Sequence, residues 1–247
     1  MRRRLASPFL AALWYALRVT VPPKRRALLL LPFVATVLFG FLAAASKPAG
    51  GEADLGGPAA AGLFGLVLPF ACLVVGDAVL GAEVRTGALA ITWLSPLPFW
   101  QLVLARWLGG WLLASLVLVP AMAAAAVVAG VPSAAGALAI AAAAGTAGYL
   151  ALFVLVGVTT RRAALWSLGI VLLGERLLGT VLSGIAQVSP QWLARSTFGG
   201  LGPAEDLVRR GVPSGWSAVG RLALLTAIFL LVAERRIRHL RLAPAAD

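Results

Sequence analysis

FWQLVLARWLGGWLLASLVLVPAMAAAAVVA, residues Phe99–Ala129, carries a single charge, Arg106. About 20 apolar residues in a helix cross the hydrocarbon of a bilayer, so this run is long enough to span it. Outward from it, the same pattern recurs. Before it come runs at 27–45 and 58–80; after it come 134–158, 163–186 and 216–233. Between them lie a polar, Gly-rich loop with Lys47, Glu52 and Asp54, a charged stretch at 77–100, and an uncharged turn at 130–133. Arg161 and Arg162 follow the fourth run, and a longer polar segment at 187–214 follows the fifth. The reading is an all-α polytopic membrane protein with six transmembrane helices in one domain.

Composition agrees. Hydrophobic residues make up 61% and charged residues 12% of the chain, and mean hydropathy is +0.95. Soluble domains carry about a quarter charged residues, so the bilayer is the solvent for most of this surface. The net charge of +12 raises nucleic-acid binding, but the basic residues flank the apolar runs and form no separate basic domain, so no nucleic-acid partner is expected. The one cysteine, Cys72, excludes an intrachain disulfide, and with the one histidine, His239, gives no metal-ligand set. The basic start, Arg2 to Arg4, has the look of a signal peptide. Ser7-Pro8 interrupts its apolar stretch and no cleavage site follows, so it is read as retained.

Leu5, Phe9, Leu13 and Leu17 recur every four residues, with Arg4 and Arg18 at the ends, which predicts an amphipathic interfacial helix within 1–26. Pro22-Pro23 ends it. Orientation follows from loop charge. The N-terminus, 77–106, 161–162 and the basic tail at 234–247 hold fifteen Lys and Arg, against five in 46–57, 130–133 and 187–221. Both termini are therefore expected in the cytoplasm of a multi-pass cell-membrane protein. The Ala, Leu and Arg usage points to a bacterial inner membrane.

Catalytic motifs are absent. A P-loop places Gly ahead of Lys-Ser/Thr, and the only lysines, Lys24 and Lys47, sit in Pro-Lys-Arg and Ser-Lys-Pro. His239 lies outside every run, so no His activates an intramembrane Ser. The chain is not expected to be an enzyme on its own.

Between the second and third runs stands GAEVRTGALAITWLSPLPFW, Gly81–Trp100, continuing to Arg106. A helix from Ala82 to about Leu94, ended by Ser95-Pro96, would be a rigid lever, with Glu83 near its N-terminus where the dipole favours negative charge. Glu83, Gly87, Leu89, Leu94, Pro96 and Arg106 resemble the loop of the permease subunits of type-2 ATP-binding-cassette exporters. That loop carries an acidic residue, Gly-Thr-Leu, a Leu-Leu pair and a Pro, with a basic residue opening the third span. Here Ala88 replaces the Thr and the Leu-Leu pair is incomplete. In importer permeases the Gly comes six residues after the Glu; here Gly87 follows Glu83 by four. The resemblance implies a cytoplasmic coupling helix gripped by separate ATPase subunits through Glu83, Arg85, Gly87, Leu89 and Pro96. It also implies MgATP on those partners, no cofactor in this chain, and a second permease subunit, identical or related. Short outer-leaflet helices are implied between spans five and six, within 187–214. The blander reading leaves Glu83 a helix cap and Arg85 an anchor. Rival functions are force transmission to an extracytoplasmic partner, and an ATP-independent scaffold or channel component.

Glu175-Arg176 falls inside the fifth run. Charge at that depth costs at least about 2.5–3.5 kcal/mol per residue on insertion scales, and adjacent helical positions point about 100° apart. Two readings stand: an intramembrane ion pair that locks helices or a dimer interface, or a lining of the substrate path. Gly145 and Gly148 are expected to permit close helix packing, Pro69 and Pro120 to kink their spans, and Trp107 and Trp111 to act as lipid or interface anchors.

Overall fold

The computed structural model describes residues 8–20, 30–46, 55–76, 79, 97–160 and 162–239. The expected coupling residues Glu83, Arg85, Gly87, Leu89 and Pro96 lie outside the described residues, as do the loop acids Glu52 and Asp54 and the last residues of the tail.

The described chain is helical throughout, without strands. Helix α1 is Pro8–Thr20 and α2 is Leu30–Ala45. Helix α3 is Gly57–Gly76, α4 is Phe99–Val128 and α5 is Ala135–Thr159, entered by a 3-10 turn at Pro132–Ala134. Helix α6 is Ala163–Val181, α7 the short Ser183–Ala186, α8 Pro190–Leu201 and α9 Gly215–Arg238. Five helices, α3, α4, α5 with its 3-10 turn, α6 and α9, are long and apolar enough to cross a bilayer. This is a polytopic helical membrane protein. The described part of the first expected span, α2, has 16 residues, or ~24 Å of helix.

Helix α5 is the hub: α3, α4, α8 and α9 all pack on it. It is built from small residues on its contact faces, among them Ala141, Ala142, Gly145 and Gly148, all buried. In lipid, helices associate through close packing rather than hydrophobic collapse, so small residues bring backbones together. A methyl group at Gly145 would lie 2.8 Å from both Ala194 Cβ on α8 and Leu68 Cδ2 on α3. One at Gly148 would lie 3.0 Å from Leu222 Cδ2 on α9 and 3.4 Å from Pro190 Cβ.

The tryptophans of α4 have a role their sequence reading did not include. Trp107 Nε1 donates to Ala147 O at 3.1 Å and Trp111 Nε1 to Ala143 O at 3.0 Å, and the two rings stack 6.0 Å apart. They staple α4 to α5, the part-buried indole N–H groups each taking a backbone carbonyl.

The described part of α1 starts at Pro8. Its face of Phe9, Leu13, Ala16, Leu17 and Thr20 is the more buried one, and α1 packs along α4. Ala16 sits against Gly109, and the guanidinium of the buried Arg106 lies 4.7 Å from the centre of the Tyr15 ring. The basic residue that opens α4 is thus roofed by α1.

Prolines and glycines shape the spans. Pro69 has no N–H and its ring would collide with the Gly65 carbonyl one turn back. The preceding Leu63–Val67 unwinds into a π-helical turn, with Leu68 N–H donating to Leu63 O. Pro120 lies inside an unbroken α4. Helix α4 ends on Gly130 at φ +82°, with Val131 N–H bonded to Ala126 O and Gly130 N–H to Val127 O, both at 3.0 Å. This is the Schellman arrangement that glycine favours.

The ends of the last two spans depart from expectation. Helix α6 stops at Val181, five residues short of Ala186, because Leu182 turns extended (φ −100°, ψ 111°). Helix α9 continues through Glu234 to Arg238, held in its last turn by an Arg238–Glu234 ion pair, so the expected tail begins as helix.

Candidate functional site

Helix α6 is π-helical over Ile170–Leu178, with Gly179 N–H donating to Gly174 O. Glycines stand at 169, 174 and 179, one for each five-residue step of π bonding. Widened turns of this kind cluster at functional positions. Within α6 the middle and end bury Val171, Glu175 and Gly179, while Leu172, Leu173, Leu177 and Val181 are exposed. A four-residue spacing on a wide helix keeps one narrow stripe turned inward.

The centre of that stripe is Glu175, 3% exposed. Its Oε2 accepts the Tyr149 hydroxyl from α5. Its Oε1 accepts Ser189 Oγ at 2.5 Å and Gln191 N at 3.3 Å. Its own carbonyl accepts Trp192 Nε1 at 3.2 Å. One acidic residue therefore ties α6 to α5 and to the first turn of α8.

That first turn has a local explanation. Ser189 is the N-cap of α8, its Oγ also accepting Trp192 N at 3.3 Å, and Pro190 fills the first helical position. The free N–H groups of a helix start favour a carboxylate, and Glu175 supplies one. Pro190 packs at Gly148 and Ala194 at Gly145, so α8 runs antiparallel to α5. Its far end meets the start of α9, where a methyl at Gly200 would lie 2.3 Å from Gly215 N. The chain therefore leaves α6 at Leu182, doubles back to the depth of Glu175, and returns along α5. Helix α8 is thus a short helix folded back against α5, with the first turn satisfied inside protein.

Cations brace the turn. Arg209 donates through Nη1 to Gly179 O and through Nη2 to Val181 O at 3.5 Å, meeting carbonyls left free where α6 breaks. Its guanidinium stands 5.3 Å from the Trp192 ring centre and that of Arg195 stands 5.4 Å from it. Arg221 Nη2 donates to Gln187 Oε1 at 3.2 Å. Arg209→Gln is expected to cost about 1–2 kcal/mol, from a charged hydrogen bond and a cation–π contact. Limited proteolysis should then open at 182–188 before any other segment; an unchanged cleavage pattern would contradict the brace.

Arg176 points elsewhere. The carboxylate of its neighbour takes no Lys or Arg partner among the described residues; its ligands are hydroxyl and amide donors. Arg176 is exposed, and its Nε lies 3.6 Å from where a Gly65 side chain would begin, with Gln191 Nε2 at 3.1 Å from the same point. The two π-helical turns, Leu63–Val67 and Ile170–Leu178, thus face each other across the start of α8.

No family model matches the sequence, and no curated protein does.

Sequence reading found Glu175, Arg176, Gly145 and Gly148. It missed Tyr149, Ser189, Gln191, Trp192 and Arg209 as parts of the same arrangement. The Ser-Pro pair at 189–190 is an N-cap and first-turn signature, and the five-residue glycine period in α6 hints at the wide turn. Tyr149 has no such signal.

Proposed function

We propose that the chain is the transmembrane permease subunit of an ATP-binding-cassette exporter. Separate cytoplasmic ATPase subunits bind MgATP and act on the segment 82–94, and a second permease subunit, identical or related, completes the pathway. In this reading the apolar run 27–45, which contains α2, is the first of six spans. Both termini and the 77–98 segment are cytoplasmic, and 202–214 is outside the cell.

The observation that carries the reading is α8. A short helix folded back between the last two spans, its start at the level of Glu175, is the kind of element the resemblance at 81–106 implies there. Supporting it are the fifteen-to-five distribution of basic residues and α1 packed along the start of α4, beside Arg106. Glu175 acts as the clamp that seats α8, so that a push on the cytoplasmic ends of α3 and α4 moves α5 and α8 with them.

Single cysteines introduced as Glu83→Cys and Arg85→Cys, with Cys72→Ser as background, test the coupling. Each should crosslink to an ATPase subunit in at least one of the nucleotide-free, ATP-bound and ADP-bound states. No adduct in any of the three would sink the reading.

A further inference from the structure

Arg176 is the fourteenth of the nineteen residues of α6, about one turn before its end at Val181. Its side chain is exposed, and no described residue gives it a hydrogen bond or ion pair. The surface around it is apolar, with Leu172, Leu173 and Leu177 all exposed. A guanidinium among apolar side chains there takes an anion, a water-filled path or the headgroup layer about one turn away.

Among the described residues nothing supplies the anion. The chain has nine Asp and Glu, and only Glu175 and Glu234 lie in the five spanning helices. Glu175 is engaged by three donors, and Glu234 is paired with Arg238 at the end of α9.

A second donor converges on the same spot. Gln191 is 6% exposed, its Oε1 is buried without a hydrogen-bond partner, and its Nε2 approaches the point above Gly65 that the Arg176 guanidinium also approaches. Any side chain at Gly65 would fill that point. The two groups that approach that point, the Gln191 amide N–H and the Arg176 guanidinium, are both donors, and a guanidinium beside an amide N–H suits an anion, to which Arg offers a planar fork.

We propose that Arg176 and Gln191, converging over Gly65, bind the anionic headgroup of an amphiphile. The headgroup carries phosphate or carboxylate, and the exposed leucines of α6 lie against the apolar body. As a statement about cargo class this rests on the exporter reading; as a binding site it stands alone.

The test uses the full-length chain purified in mixed micelles containing equimolar phosphatidylglycerol and phosphatidylcholine, with retained lipid counted by native mass spectrometry. The wild type should retain the anionic lipid with about a tenfold preference, the size of one net charge-assisted hydrogen bond. Arg176→Gln should lower that preference several-fold, the basic residues flanking the spans keeping it above one, and Arg176→Lys, which keeps the charge without the fork, should fall between. Thermal melting of both variants reports folding, and the lysine variant carries the test if the glutamine variant does not fold. No preference in the wild type, or an unchanged preference in a folded Arg176→Gln protein, overturns the proposal. Displacement of the lipid by equimolar inorganic phosphate would make this a free-anion site and overturn the amphiphile. A photo-crosslinker at position 177 that captures an acidic protein instead of lipid would do the same. The measurement needs neither ATP nor a partner, so its failure leaves the exporter reading standing. Lipid selectivity without any captured ATPase leaves the site standing and removes that reading.

Discussion

Replacing Glu175 with Leu should lower the stability of the purified protein by about 3 kcal/mol, the sum for stranding three buried donors at roughly 1 kcal/mol each. For a chain of this size that is a fall of about 6–12 °C in the thermal midpoint in detergent. Leu has nearly the volume of Glu and suits an apolar span better, so composition alone predicts the opposite sign. The loss arises because Tyr149 Oη, Ser189 Oγ and Gln191 N all aim at one carboxylate. Glu175→Gln keeps one acceptor oxygen and should lose less. A double-mutant cycle with Tyr149→Phe separates the cause: removing both members of the pair should cost less than the sum of the single changes. A Glu175→Leu protein that melts with the wild type would show that α8 is seated by packing alone.

Gly200→Ala should be damaging where most glycine-to-alanine changes in helices are mild. The added methyl would meet Gly215 N at 2.3 Å and Gly215 Cα at 2.8 Å, both backbone atoms, and Gly215 is itself held at φ +57°. Neither side can give without moving the end of α8 or the start of α9, so a loss of about 2–3 kcal/mol is expected. Gly220→Ala on α9 and Gly136→Ala on α5 are the controls, because nothing lies within 4 Å of either added methyl. There alanine's helix preference should give no loss, or a gain of about 0.5–1 kcal/mol. Equal melting of all three variants would mean that the α8–α9 contact is looser than described.

What the sequence disclosed and what it hid follow from range. Residues 99–129 read as a spanning helix because hydropathy is local and continuous, and α4 runs Phe99–Val128 as that reading expects. The small-residue pattern at Gly145 and Gly148 was equally legible, since close approach needs only the absence of a side chain. The end of α6 was not, because Val181, Leu182 and the residues after them are as apolar as those before. No period distinguishes a span that continues from one that turns back inside protein. Glu175 stood out by its cost, yet its partners lie 14, 16 and 26 residues away, and nothing local selects Tyr149 among them. Arg209 illustrates the same limit. As one of five basic residues it served a charge count, while its guanidinium meets carbonyls 28 and 30 residues earlier in the chain. The tryptophans of α4 read as lipid or interface anchors, and their bonds to α5 were hidden because the partners, the Ala143 and Ala147 carbonyls, are backbone with no signature.

The central claim is that this helical bundle is driven by an ATPase it does not contain. Affinity capture of the full-length chain from its native membrane, with identification of the captured proteins and measurement of their MgATP hydrolysis, tests it most directly. The account predicts a Walker-type ATPase in fixed stoichiometry, hydrolysing MgATP in the complex and lost when Glu83 and Arg85 are both replaced by Ala. Capture of the intact, folded chain with no ATPase and no hydrolysis would contradict it.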